Sequence, residues 1–268
     1  MNVGAWRKSK SYMLNTRRPH AWTALLLGTN FFLLSSSPVV TQTLEDRRVL
    51  IGTSGGVQFV KDSILNEVNF NLFQEIGKFS ASYNITTDTA FDGSIGVRLY
   101  KRFGVGVNVS HFNKLMTATI DAEVPHPYFF SFPRMTSGIA GGVTRREVAV
   151  HTQVQYWKVL ANKFLVRGFF GPTLFDVNHD LVSEIITTER GFDFGIVDIA
   201  GYRTIKSDKS ALGFNIGFDA SYFVHDQIGL AFVIRYSRGT SDYKIQQQDQ
   251  PVIELGGTHL AGGLHFVF

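Results

Sequence analysis

The sequence predicts an all-β protein: an eight-stranded antiparallel up-and-down transmembrane β-barrel preceded by a signal peptide. Three observations carry this. From about residue 48 onward apolar and polar residues alternate with a period of two, and no helical period emerges. Short turns alternate with longer connections along the same region. The last nine residues, Leu260-Ala-Gly-Gly-Leu-His-Phe-Val-Phe268, keep the strand period to the final residue, which is aromatic. Chain ends normally fray into water, so a terminal Phe suits a strand that meets lipid and closes a barrel.

The chain has 268 residues. Arg7, Lys8, Lys10, Arg17 and Arg18 precede an apolar run from Ala21 to Leu34, and Ser35-Ser36-Ser37-Pro38 follows. Basic region, apolar core and small polar exit form a secretory signal. The apolar core is short of the ~20 residues that a spanning helix needs. We assign residues 1–41 to the signal peptide and 42–268 to the barrel domain. An uncleaved N-terminal anchor is the alternative, and Met13 is a second candidate start.

The charge balance changes with that division. The whole chain carries 26 Lys and Arg against 22 Asp and Glu. Five of the basic residues lie in the signal and no acidic residue precedes Glu45, which leaves 21 basic against 22 acidic residues, a net of −1. The basic character belongs to targeting, so no nucleic-acid partner is expected. The absence of Cys excludes disulfides and thiolate metal sites.

The eight strands are expected at about 49–73, 78–100, 104–120, 142–158, 164–178, 208–224, 228–243 and 252–268. The clearest alternation is Phe79, Ala81, Tyr83, Ile85, then Phe91, Ile95, Val97 and Leu99, all of one parity. Leu212/Phe214/Ile216/Phe218/Tyr222 and Ile228/Leu230/Phe232/Ile234/Tyr236 repeat it. Each segment is long enough for the ~9–11 residues of a membrane crossing. The first strand loses its parity between Phe59 and Val68, which predicts a bulge or break. Long connections are expected at 121–141, 180–207 and 245–250, with a tip near 74–77. Tyr100, Phe103, Trp157, Phe164, Tyr222, Phe223, Phe266 and Phe268 collect at one rim, as an interfacial aromatic girdle does.

If the apolar parity faces lipid, the lumen receives Gln58, Arg98, Asn108, Ser110, His151, Gln153, Gln155, Arg167, Asn215, Asp219, Arg235, His259 and His265. Glycines among them make room for the long side chains. Eight strands enclose only enough space for their own side chains or one small ligand. Arg98, Arg167 and Arg235 are costly if buried unpaired. Asp219 is the expected partner of Arg235, and Glu147 of another arginine nearer the outside. The network fills and rigidifies the barrel; the alternative is a narrow polar path, which three arginines would bias toward anions.

No catalytic constellation emerges. The histidines are scattered; His259 and His265, six residues apart on one strand, stand roughly 20 Å apart. There is no Gly-x-Ser-x-Gly and no helical metal-ligand spacing. No cofactor is expected, and no enzyme. The loop Val124-Pro-His-Pro-Tyr-Phe-Phe-Ser-Phe-Pro133 stands out for its three prolines and four aromatics. It is expected either to fold onto the barrel rim or lipid headgroups, or to form a contact surface. The 180–207 segment reads as a hairpin beyond the membrane.

Gly263, Phe266 and Phe268 resemble the C-terminal assembly signal of bacterial outer-membrane β-barrel proteins, with Ala261 where a polar residue is usual. With the strand pattern, the chain resembles the small outer-membrane barrels of the OmpA/OmpX/OmpW-like group. The resemblance implies a Gram-negative outer-membrane location, insertion by the barrel-assembly machinery, contact with lipid and lipopolysaccharide, and a monomer. The resemblance says little about substrate, and the function expected is a structural or surface-interaction role. The alternative is a narrow, porin-like channel or transporter for small or hydrophobic molecules.

Overall fold

The computed structural model describes residues 43–60, 62–191, 194–245 and 248–268. The expected signal peptide, residues 1–41, lies outside them. The described strands are β1 (Val49–Phe59), β2 (Asp62–Leu72), β3 (Glu75–Ile85), β4 (Asp88–Tyr100), β5 (Phe103–Val124), β6 (Arg134–Ala161), β7 (Phe164–Arg190), β8 (Ile196–Phe223), β9 (Ile228–Ile245) and β10 (Gln248–Val267).

Eight of these close a ring. β1 pairs with β10 on one side and with β4 on the other, and β4 through β10 then follow in chain order, every pairing antiparallel. The last residue seals the seam. Phe268 and Val49 exchange backbone hydrogen bonds of 2.9 and 3.0 Å. Both strand termini and the tight turns at 101–102, 162–163 and 224–227 lie at one end, here the turn end.

The ring corrects the first two strands of the sequence reading. Segment 49–73 breaks after Phe59, and segment 78–100 breaks after Ile85. The middle pieces, β2 and β3, leave the ring as a hairpin, and β3 pairs with outer β5 from Lys78↔Glu123 to Tyr83↔Ala118. The chain can leave at this point because β10 offers two glycines there. Gly256 and Gly257 have φ of 87° and 141°, and a Cβ on Gly257 would lie 2.3 Å from the Phe59 carbonyl oxygen. The expected loops at 121–141 and 180–207 are mostly strand: β5 and β6 run to 124 and from 134, and β7 and β8 meet as a long hairpin.

Polarity explains that extension. On β5 the inward residues Asn108 and Ser110 are polar, whereas Phe112, Met116, Ala118, Ile120, Ala122 and Val124 beyond them are apolar and buried. The outward side becomes mostly polar at the same height: Val105, Val107 and Val109 give way to Asn113, Thr117, Thr119 and Asp121, with Leu115 as the apolar exception. The lower part is thus a barrel with lipid outside and polar groups inside. The upper part is a water-exposed β-structure with an ordinary apolar core. Phe79, Ala81, Tyr83 and Ile85 belong to that upper core and are 0–2 % exposed. Their parity matches that of Phe91, Ile95 and Leu99, which are exposed on the barrel exterior. The lipid-facing expectation therefore holds for 91–99 and fails for 79–85, because the break after Ile85 separates two environments.

Candidate functional site: a filled lumen under a pinned aromatic loop

The lumen is built in layers. At the turn end, Leu50, Trp157, Leu165, Phe223 and Val267 form a buried apolar plug. Above it the Arg167 guanidinium donates to both oxygens of Asp219, at 3.2 and 3.0 Å from Nε and at 2.6 Å from Nη2. Arg167 and Asp219 stand directly opposite in the β7–β8 register. Arg167 Nη1 also donates to Gln155 Oε1 at 3.3 Å, and that oxygen accepts from Trp157 Nε1 at 3.1 Å. A Cβ on Gly96 would lie 2.5 Å from Gln155 Oε1, and one on Gly106 would lie 2.1 Å from Gln155 Nε2. These two glycines supply the room that Gln155 and Arg167 occupy.

Higher up, Arg235 donates to Asp92 Oδ1 and to Asn108 Oδ1, both at 2.8 Å, while His259 Nδ1 lies 2.9 Å from Asp92 Oδ2. The expected Arg235–Asp219 pair does not form. The β8–β9 register sets Arg235 beside Gly217 and Asp219 beside Val233, so Arg235 reaches across the lumen to β4. His151 sits 3.0 Å from Ser110 Oγ and 2.8 Å from Thr173 Oγ1, and His265 sits 2.7 Å from Ser221 Oγ. Glu147 accepts from Arg145 Nη2 at 3.2 Å, from Gln58 at 3.4 Å and from the Gly256 backbone at 3.2 Å.

The structure thus brings Arg167, Asp219, Arg235 and Glu147 into one buried column. Arg98 stands apart. Its guanidinium lies at the turn end, 5.9 Å over the Trp157 ring, and donates to the carbonyls of Glu45 and Arg47. β4 ends two residues later, which sets Arg98 at the rim below the column. Asp92 and Arg145 carry ion pairs of the column that sequence reading did not name. The signal was present: Asp92 shares the parity of Ser94 and Arg98, and Arg145 that of Glu147 and His151. Of the assembly-signal residues, Phe268 is exposed on the exterior while Gly263 is packed against Ser54 of β1, where a Cβ would clash. Phe266 is half-buried.

Above the column the apolar core of the extension closes the loop end. The hairpin β2–β3 is tied over it: Asn66 Nδ2 donates to the Val182 carbonyl at 2.9 Å, and the Tyr83 hydroxyl accepts from Val182 N–H at 2.7 Å. Burial raises the Tyr83 hydroxyl to about 12. His179, against the Tyr83 ring at 5.3 Å, is lowered to about 4, first by burial and then by the Arg145 charge.

At the tip, residues 125–133 are pinned rather than folded down. His126 Nδ1 accepts from the backbone of Tyr128 and Phe129, Ser131 N–H donates to Glu75 at 2.7 Å, and Arg134 pairs with Glu189 at 2.7 Å. Tyr128 stacks edge-on with Phe194 at 5.4 Å. Tyr128, Phe129, Phe130 and Phe132 nevertheless remain 62–74 % exposed. From Ser110 to Val124, β5 extends roughly 45 Å, so this loop does not rest on the headgroups of its own membrane. That part of the sequence expectation is corrected.

A closed antiparallel ring with an apolar exterior band and a polar interior is the construction of bacterial outer-membrane proteins. The class is an integral outer-membrane β-barrel. No family model and no curated protein matches the chain. Solved structures similar to it are bacterial outer-membrane barrels. Neisserial surface protein A is 10% identical, with 82% of this chain and 97% of that one covered, at a TM-score of 0.41. OprG from Pseudomonas aeruginosa is 10% identical over 83% and 96%, at 0.40. Ail of Yersinia pestis, solved with the heparin analogue sucrose octasulfate, is 10% identical over 82% and 99%, at 0.36. The assignment of class stands on the chain's own ring and exterior.

Proposed function

We propose that this protein is a non-catalytic outer-membrane barrel that holds a rigid β-extension above the cell surface as a contact platform. Residues 1–41 direct export, and Gly263, Phe266 and Phe268 present the last strand to the barrel-assembly machinery. The barrel then stands as a monomer among phospholipid and lipopolysaccharide. One observation carries the reading: the lumen is packed with paired charges between two apolar layers, while the loop end spends its residues on a second core and on a pinned loop of exposed aromatics. A filled lumen supports a structural role over a channel. Clusters of exposed aromatics mark contact sites.

The experiment compares cells displaying the wild-type barrel with cells displaying Tyr128→Ser, Phe129→Ser, Phe130→Ser and Phe132→Ser combined. Partition of cells into a hydrocarbon layer reports apolar surface contact. The platform reading expects partition to fall, with heat-modifiable gel mobility unchanged. Equal partition at equal surface level contradicts it.

A further inference from the structure

The turn end carries a feature that the platform role does not use. The β4–β5 turn places Lys101 and Arg102 at the rim, beside a crevice of about 570 Å3 that Arg98, Glu45, Phe103 and Tyr156 help to line. Lys101 Nζ stands 5.1 Å over the Tyr100 ring, and Arg102 Nη1 donates to the Tyr156 hydroxyl at 3.3 Å. Among the described residues none of these three cations forms a salt bridge. Three basic groups against the one lining carboxylate of Glu45 leave the crevice positive.

A second cavity lies directly above it on the lipid-facing exterior. This groove, about 470 Å3, is lined by Val97, Val105, Val107, Thr152, Val154 and Pro172, among others. The two features share a strand pair. Phe103↔Tyr156 flanks the crevice, and the next outward pairs, Val105↔Val154 and Val107↔Thr152, floor the groove. From Phe103 to Val107 the strand rises roughly 13 Å, so the groove leads from the aromatic girdle into the hydrocarbon.

We propose that crevice and groove together bind one anionic glycerophospholipid of the leaflet at the turn end. The phosphate sits among Lys101, Arg102 and Arg98, and one acyl chain lies along the valine groove. Tyr156 and Phe103 stand at the junction, where aromatic residues partition between headgroup and hydrocarbon. A free phosphate would use the crevice and leave the groove unused; a neutral lipid would use the groove and leave the charge unmatched. Only an anionic lipid meets both.

The test is native mass spectrometry of the full barrel in detergent, with phosphatidylglycerol and phosphatidylethanolamine of identical chains added in equal amounts. A basic residue near an anionic headgroup favours binding by a factor of about five. With Lys101 and Arg102 both at the phosphate, wild type is therefore expected to retain one lipid, phosphatidylglycerol over phosphatidylethanolamine by roughly 25-fold. Lys101→Gln with Arg102→Gln abolishes that preference, Val107→Trp lowers retention of both lipids, and millimolar inorganic phosphate displaces neither. Equal retention of the two lipids by wild type overturns the proposal without any variant. Displacement by inorganic phosphate overturns it in favour of a simple anion site, and an unchanged preference in the double variant places the selectivity elsewhere.

Discussion

Arg167 and Asp219 show what a buried ion pair does in this barrel. Taking both charges out of water is costly, and their contact repays the cost only because the geometry is forked and Gln155 completes it. Breaking one side leaves an orphan charge. Arg167→Met is therefore expected to destabilise the barrel by about 3–5 kcal/mol, seen as a lower temperature for loss of the folded band on an unboiled gel. Arg167→Met combined with Asp219→Leu should recover most of that loss, and a double variant no better than the single would contradict the account. His179 answers to pH instead. Its folded-state value is depressed to about 4 from an ordinary 6.5, so its contribution is fully present above about 6.5 and is lost as pH falls toward 4. Between those values the hairpin β2–β3 should exchange its amides faster, and His179→Phe should flatten that dependence. The pairing of these side chains was only half legible in the sequence. Arg167 and Asp219 are neighbours across one hairpin, and alternation places both inward. Arg235 and Asp92 are 143 residues apart; parity put Arg235 in the lumen, but only the closed ring brings β4 across from β9.

At the scale of elements, the decisive event is the change of environment along one strand. β5 keeps one inward parity from Asn108 to Val124, yet from Phe112 its inward residues turn apolar, apart from Lys114, which pairs with Asp88. Alternation reveals which side a residue shares with its neighbours; it does not reveal which side is wet. That is why Phe79–Ile85 read like the lipid-facing run at 91–99. The parity slip after Phe59 did signal the break, and the mix of apolar residues with charges over 180–207 signalled a hairpin beyond the membrane. The hairpin β2–β3 is held by its pairing with outer β5, by the apolar core of the extension and by the Tyr83 and Asn66 hydrogen bonds rather than by ring closure, and it should open independently of the barrel. Tyr83→Ala removes a buried aromatic, a change worth about 3–5 kcal/mol. Trypsin should then cut at Lys78 while the ring stays protected, and full resistance of that variant would show that the hairpin depends on other contacts.

For the whole molecule, the ring is as strong as its seam. Phe268 closes it against Val49 by backbone bonds while its ring remains outside. Deleting Phe268 should reduce the amount of heat-modifiable protein in the membrane, and normal assembly of that truncation would detach the assembly signal from this residue. The strand character of the last nine residues was legible in their alternation, but that this strand meets Val49 of β1 emerges only from the closed ring. The filling of the lumen follows from the same ring. Eight strands leave room for side chains or one small ligand, and here the space is filled by side chains, with paired charges between the Trp157 plug and the apolar core of the extension. The central claim is that this interior does not conduct. Single-barrel recording in a planar bilayer tests it most directly: the wild-type protein should insert and show no openings above leak, and reproducible stepwise conductance from the unaltered barrel would contradict the account.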